Sequence, residues 1–447
     1  MSDLQSARVS RSDGGCLMGS AALRGFLAAL CVTCGWAVAP EANAQEPQPD
    51  HRRSSYGARG VGTGDWVFVP QLKSVFQRPQ PEYEPLGIRM GSWVLSPEVR
   101  FEGGYDDNVF ADETDKTDDF FGTATPSVRL RSDWPVHLLG FEASGNIVRY
   151  ADETTEDVEE PTASVFGRLD ITRDDAVYGS ARYHREVQGR DDPEDEGGQQ
   201  TEYDQWTGRF GYAHQFAVMH FRIDARGQRY DYLNSDDQDR DRDELDLGAR
   251  LTYALSPVFT PFVEGGYSIA DFDDAVDDSG VDRDQNEYSA GVGGRLLLTD
   301  VLIAELSVGA FRVEFEDSSL DSFTSLGFSG DLIWNVTDLT SIIAEGFRRE
   351  SPTTQGDASS RVDTGGGIRV EHELLRNLLL FGEASYRNED FRNQRVDDRY
   401  EAAVGAEYLL NRNVSLFSEY SYERRESDEE ERDFTRNLGI IGVRITY

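Results

Sequence analysis

From Trp93 to the last residue the chain runs in segments of about 10–14 residues that alternate apolar and polar, with turn-forming stretches between them. A strand points successive side chains to opposite faces. Trp93, Leu95, Val99, Phe101 and Tyr105 therefore share one face, and Glu98, Arg100 and Glu102 the other. Leu245, Leu247, Ala249, Leu251 and Tyr253 oppose Glu244, Asp246, Arg250 and Thr252 in the same way. An aromatic residue usually stands near one end of the apolar face, as at the interfaces of a bilayer. Nothing after residue 45 approaches the ~20 apolar residues of a membrane helix. A chain of this kind enters a membrane only as a closed barrel. A soluble sandwich or propeller needs a dry core, which Arg, Glu and Asp on nearly every strand would not tolerate unpaired. The pattern predicts an all-β fold, a transmembrane antiparallel β-barrel.

The connections are of two kinds. Asn335-Val336-Thr337-Asp338, Arg376-Asn377 and Asn411-Arg412-Asn413 are short; the stretches 106–118, 190–200, 271–284 and 426–433 are long and acidic. Outer-membrane barrels have short periplasmic turns and longer outer loops. Nine long loops and eight short turns predict about 18 strands, with both chain ends on the periplasmic side.

Ahead of the barrel, Arg24 leads an apolar stretch from Gly25 to Ala39, followed by Ala42-Asn43-Ala44. That order is an export signal cleaved after Ala44, leaving Gln45 first. The expected organisation is a signal peptide over 1–44, a proline-punctuated periplasmic extension over 45–90 and the barrel over 91–447. Cys16, Cys31 and Cys34 all fall in the signal, so the mature chain has no disulfide.

A net charge of −39 excludes nucleic acid as a partner. Lys73 and Lys116 are the only lysines; the remaining basic residues are arginine, whose planar fork suits carboxylate ladders. Ile441, Val443, Ile445 and the terminal Tyr447 alternate apolar. This ending resembles the insertion signal read by the barrel-assembly machinery, an expected partner alongside outer-membrane lipid and lipopolysaccharide.

Gly91-Ser92-Trp93-Val94-Leu95-Ser96-Pro97-Glu98-Val99 leads into Gly104 and then Tyr105-Asp106-Asp107-Asn108. This opening resembles that of the family named Putative beta-barrel porin 2. The resemblance implies a Gram-negative outer-membrane barrel. Many members lie in exopolysaccharide gene neighbourhoods, which would make polysaccharide export components possible partners.

The candidate site is the lumen. Arg100, Arg129, Arg168, Arg182, Arg209, Arg222, Arg226, Arg250 and Arg295 are expected on the inward face, as are Glu98, Glu142, Asp224 and Asp246. Opposed ladders in a wet pore select solutes by charge and size; the same residues could instead pair across strands and fill the interior. Acidic clusters at 237–243 and 273–284 lack the ordered spacing of a calcium loop, so no metal is assigned. No cofactor motif stands out. No nucleophile motif accompanies any of the six histidines, and no enzyme is expected. The expected function is a porin-like channel, passive or weakly selective for small hydrophilic solutes. The alternative is a structural or export component of exopolysaccharide secretion with a filled lumen.

Overall fold

The computed structural model describes residues 72–447 except 196, 278, 279, 357, 430 and 431. The export signal with its Ala42 and Ala44, the extension as far as 71, and Asp278 of the second acidic cluster lie outside the described residues. A three-residue strand β1 (Ile88–Met90) leads into β2 (Trp93–Asp106), β3 (Asp119–Ser132), β4 (Leu138–Tyr150), β5 (Val158–Asp170) and β6 (Asp175–Val187). Next come β7 (Glu202–Gln215), β8 (Met219–Tyr232), β9 (Arg242–Tyr253), β10 (Phe259–Phe272), β11 (Gln285–Thr299) and β12 (Leu302–Phe315). The last are β13 (Phe323–Thr337), β14 (Thr340–Ser351), β15 (Arg361–Leu375), β16 (Leu378–Phe391), β17 (Arg395–Asn411), β18 (Val414–Ser427) and β19 (Phe434–Thr446).

Each of β2 to β19 pairs antiparallel with its sequence neighbour, and β19 pairs back onto β2. The result is a closed barrel of 18 strands. Closure leaves no unpaired edge, which the hydrocarbon of a bilayer requires. No helix among the described residues is long and apolar enough to cross a membrane, which says nothing about strands. The small β1, at the end of the stretch read as a periplasmic extension, pairs with β2.

The outer wall is apolar. Val263, Val292, Val308 and Val404 are among its most exposed aliphatic residues, each more than half accessible. Outward aromatic pairs border this band. Tyr105 and Phe120 lie 5.0 Å apart, Tyr183 and Trp206 4.6 Å, and Tyr386 and Tyr400 5.2 Å, all at the loop end. Trp93 and Trp134 meet at 5.3 Å at the turn end.

Six of the inward aromatics, which the alternation did not lead one to expect, share a simple steric arrangement. Phe121 lies opposite Gly104, Phe166 opposite Gly140, Tyr178 opposite Gly211, Phe262 opposite Gly293, Phe381 opposite Gly405 and Phe417 opposite Gly442. A Cβ at Gly293 would come within 2.2 Å of the Phe262 ring. Each of these rings fills the space that a side chain on the facing glycine would need, which pins the register of the two strands.

Candidate functional site: the lumen and its two mouths

The inward register brings the expected charges together. Arg129 pairs with Glu142 at 3.2 Å, Arg100 with Glu102 at 3.0 Å, and Arg168 with Asp170 at 2.6 Å. Arg222 pairs with Asp224 at 2.8 Å. Arg250 bridges Glu264 at 2.8 Å and Glu305 at 2.6 Å, and Arg295 reaches the same Glu305 at 2.7 Å. Arg444 joins Glu98 at 3.7 Å and Glu407 at 2.6 Å, near the turn end. Asp246 accepts a hydrogen bond from the Ser268 hydroxyl at 2.7 Å. Arg182, Arg209 and Arg226 occupy inward positions of β6, β7 and β8. Arginines also stack on the inward rings: Arg250 over Phe262 at 4.0 Å, Arg369 over Phe381 at 4.0 Å.

Two features escaped the strand pattern because they depend on contacts far apart in sequence. One is the loop 188–201 between β6 and β7. Its acidic tip reaches the opposite wall. Glu194 pairs with Arg361 at 2.7 Å and accepts the Thr353 hydroxyl at 2.9 Å. Arg361 stands on β15, half-way round the ring from β6. Asp191 pairs with Arg399 of β17 at 3.2 Å and Arg436 of β19 at 3.6 Å, and the Pro193 carbonyl accepts from Arg395. Burial alone would raise the Asp191 carboxyl, but Arg399, Arg436 and Arg425 together hold it below its ordinary value. Arg190, itself buried, fastens the loop's root to Glu156 at 2.8 Å. The loop therefore folds inward over the lumen. Its run of acids was legible as a loop; its arginine partners were not.

The other feature closes in from the turn end. A single 3₁₀ turn, Val75–Gln77, lies against the inner face of β13 to β16. The Val75 N–H donates to Ser341 Oγ at 2.9 Å and the Phe76 N–H to Glu371 Oε2 at 3.0 Å. The Phe76 ring meets Phe381 edge-on at 6.1 Å, with the Arg369 guanidinium 5.4 Å above it. Asn335 donates to the Lys73 carbonyl at 3.1 Å, and Arg412 to the Pro81 carbonyl at 3.0 Å. The segment thus crosses from the β13–β14 turn towards the β17–β18 turn.

The opening motif turns out to be a seam. Asp106, fully buried, takes the Arg436 guanidinium of β19. Asp107 accepts the Asn437 N–H at 2.6 Å and the Asn437 side-chain amide at 2.7 Å. Asn108 donates to the Asp112 carbonyl at 2.8 Å and to the Thr435 carbonyl at 3.0 Å. The Tyr105 hydroxyl donates to Asp118 at 3.0 Å. The motif fastens the first barrel strand to the last where the ring closes. At the far end of that seam, Ile441, Ile445 and Tyr447 are exposed on the outer wall beside Val443.

The acidic loops are threaded with arginine. Arg229 meets Asp273 at 2.7 Å, and Arg240 meets Asp237 at 3.2 Å. Among the described residues one carboxylate trio, Asp282, Asp284 and Glu316, lies within 4.8 Å. Burial, with Asp271, Asp282 and Glu316 nearby, pushes Asp284 up to about 7. His184 shares a 2.8 Å hydrogen bond with Thr162, and His214 lies 2.6 Å from Asp175 on the outer face.

Closed strand ring, lipid-facing apolar wall and charged interior together define a transmembrane β-barrel of the outer-membrane class. Residues 80–447 match the family described as Putative beta-barrel porin 2. The chain belongs to that family, and is a porin-like barrel of the Gram-negative outer membrane. Solved structures with a similar strand arrangement include OpdK from Pseudomonas aeruginosa, at 9% identity and a TM-score of 0.44, covering 79% of this chain and 99% of that one. OccK2 (OpdF) of the same organism, solved in complex with glucuronate, has 10% identity and a TM-score of 0.44, covering 79% and 98%. OccAB4 from Acinetobacter baumannii has 10% identity and a TM-score of 0.41, covering 83% and 100%. No curated protein matches the chain.

Proposed function

We propose that this barrel is a narrow channel for small hydrophilic solutes, constricted by its own loop. The observation that carries the reading is the reach of 188–201 to Arg361, Arg399 and Arg436 on the far wall. A loop folded inward narrows a pore while the paired charges of the wall keep it wet. A weakly selective channel follows, because most wall charges are matched by a partner of opposite sign.

A second reading has its own support. The 73–78 segment occupies the turn-end mouth, and with loop 188–201 at the other mouth it favours a filled barrel serving exopolysaccharide secretion as a scaffold. Beyond the aromatic pairs, outward arginines such as Arg312 and Arg424 stand beside Glu314 and Glu426, a mixed-charge belt suited to lipopolysaccharide headgroups and their divalent ions. Planar-bilayer recording separates the two readings. Discrete conductance steps from the purified protein, larger when D191N and E194Q release the loop, support the channel. Silent bilayers from correctly folded, heat-modifiable protein put the scaffold first.

A further inference from the structure

Neighbouring carboxylates balance most of the charged wall, but not Arg182 of β6 or Arg226 of β8. Arg182 and, on β7, Arg209 are exposed to the lumen, and Arg226 is half-buried beside them. Register places Arg209 directly opposite Arg226, and Arg182 opposite Thr207. Direct partners have Cβ atoms about 5 Å apart, and diagonal neighbours such as Arg182 and Arg209 lie at about 7–8 Å. Like charges held this close destabilise a sheet unless something offsets them.

Elsewhere the offset is visible. Arg222 also lies opposite Arg250, but Arg222 has Asp224 at 2.8 Å and Arg250 has both Glu264 and Glu305. Neither Arg182 nor Arg226 makes a hydrogen bond or ion pair among the described residues, and the Arg226 Nε is buried with no partner. The carboxylates near them are committed elsewhere. Asp246, opposite Arg226, takes the Ser268 hydroxyl, and Asp224 takes the Tyr178 phenol together with Arg222. Glu142, which acts on Arg182 from a distance, is bound by Arg129, and Glu186 accepts the Tyr203 phenol. Besides Asp246, the inward residues beside the arginines in register are Ser164, Ser180 and Thr207, whose hydroxyls can donate.

We infer that Arg182, Arg209 and Arg226 form an anion subsite in the lumen wall, which takes the carboxylate or phosphate group of a small solute. The inference rests on the channel reading above and names a solute class for it. Guanidinium forks match the geometry of both oxyanions. Three of them, backed by hydroxyls and set in a wall whose other charges are mostly paired, make a station that holds an anion briefly and lets it leave.

The test uses the full-length protein in planar bilayers in potassium chloride, with inorganic phosphate as the probe and acetate run in parallel. Either anion should lower the unit current of the wild type, and the stronger of the two identifies the preferred oxyanion. R182Q/R209Q/R226Q should raise the half-blocking concentration by about tenfold or more, since each lost charge-assisted contact is worth about that factor. Its reversal potential in a salt gradient should move towards potassium. R209K/R226K, which keeps the charge, should retain part of the block. Heat-modifiable migration checks that each variant folds. Conductance steps indifferent to both anions overturn the subsite and leave the channel standing. If the wild type gives no steps, the channel reading fails, and calorimetry of phosphate on the detergent-solubilised protein decides the subsite alone. Heat lost in R209Q/R226Q upholds it; no heat from the wild type refutes it.

Discussion

Val308 and Ser307 are consecutive on β12, and the barrel assigns them to opposite solvents. Val308 is 55% exposed on the outer wall. It lies between Val292 of β11 and Phe328 of β13, near the centre of its strand. An arginine there stands in hydrocarbon. The cost at the middle of a bilayer is ~2–4 kcal/mol, a factor of ~30 to ~1000 in the folding equilibrium. Ser307 faces inward, hydrogen-bonded to Ser329 at 2.8 Å, with Glu305 two residues away on the same face and Asp331 opposite Glu305. An arginine there loses one hydrogen bond worth ~1 kcal/mol and gains carboxylate neighbours, so the net change stays within ~1 kcal/mol. Urea titration of folding into phospholipid vesicles, followed by tryptophan fluorescence and by heat-modifiable migration, measures both. V308R should lose the larger amount and S307R should fold like the wild type. Equal stability of the two variants, or a greater loss in S307R, would refute the assignment of faces.

Four further outcomes are expected. G442A should destabilise by ~1–3 kcal/mol, because its Cβ would sit 2.3 Å from the Phe417 ring and 2.7 Å from the Phe101 carbonyl, which is backbone and cannot turn away; urea midpoints report it. D106A should cost ~3 kcal/mol by leaving the Arg436 guanidinium without its buried partner at the seam, seen as heat-modifiable migration lost at a lower temperature. Deleting Tyr447 should slow assembly and leave more chain in the periplasm, which pulse-chase fractionation measures; unchanged kinetics would remove the proposed role of the terminal pattern. Asp284, pushed up to about 7, disfavours its ionised form in the fold, so its penalty is absent below the ordinary carboxylate value and grows as pH rises towards and through about 7. The wild type should therefore be more stable at pH 5.5 than at pH 8 by an amount that D284N removes, as thermal unfolding at the two pH values will show.

Period-two alternation was enough to determine the faces. Val292, Val308 and Val404 point to lipid, and Arg129, Arg250 and Arg295 point inward, because successive side chains on a strand have no other choice. Loop lengths were enough for the up-and-down order, since a turn of a few residues can join only adjacent antiparallel strands. The ring size followed from counting them, although the β16–β17 loop, residues 392–394, is as short as many turns.

What the sequence could not carry is every relation between residues far apart along the chain. Cross-strand register decides which arginine meets which carboxylate, and so leaves Arg182 and Arg226 without one while Arg250 has two. Ring closure brings Asp106 and Asp107 to Arg436 and Asn437, turning a recognisable motif into a seam. Curvature places Arg361 across the lumen from loop 188–201, and gives Phe76 a berth against Phe381. Alternation is local, a property of one strand's backbone geometry. Pairing across the ring depends on strand stagger and closure, which no single segment encodes.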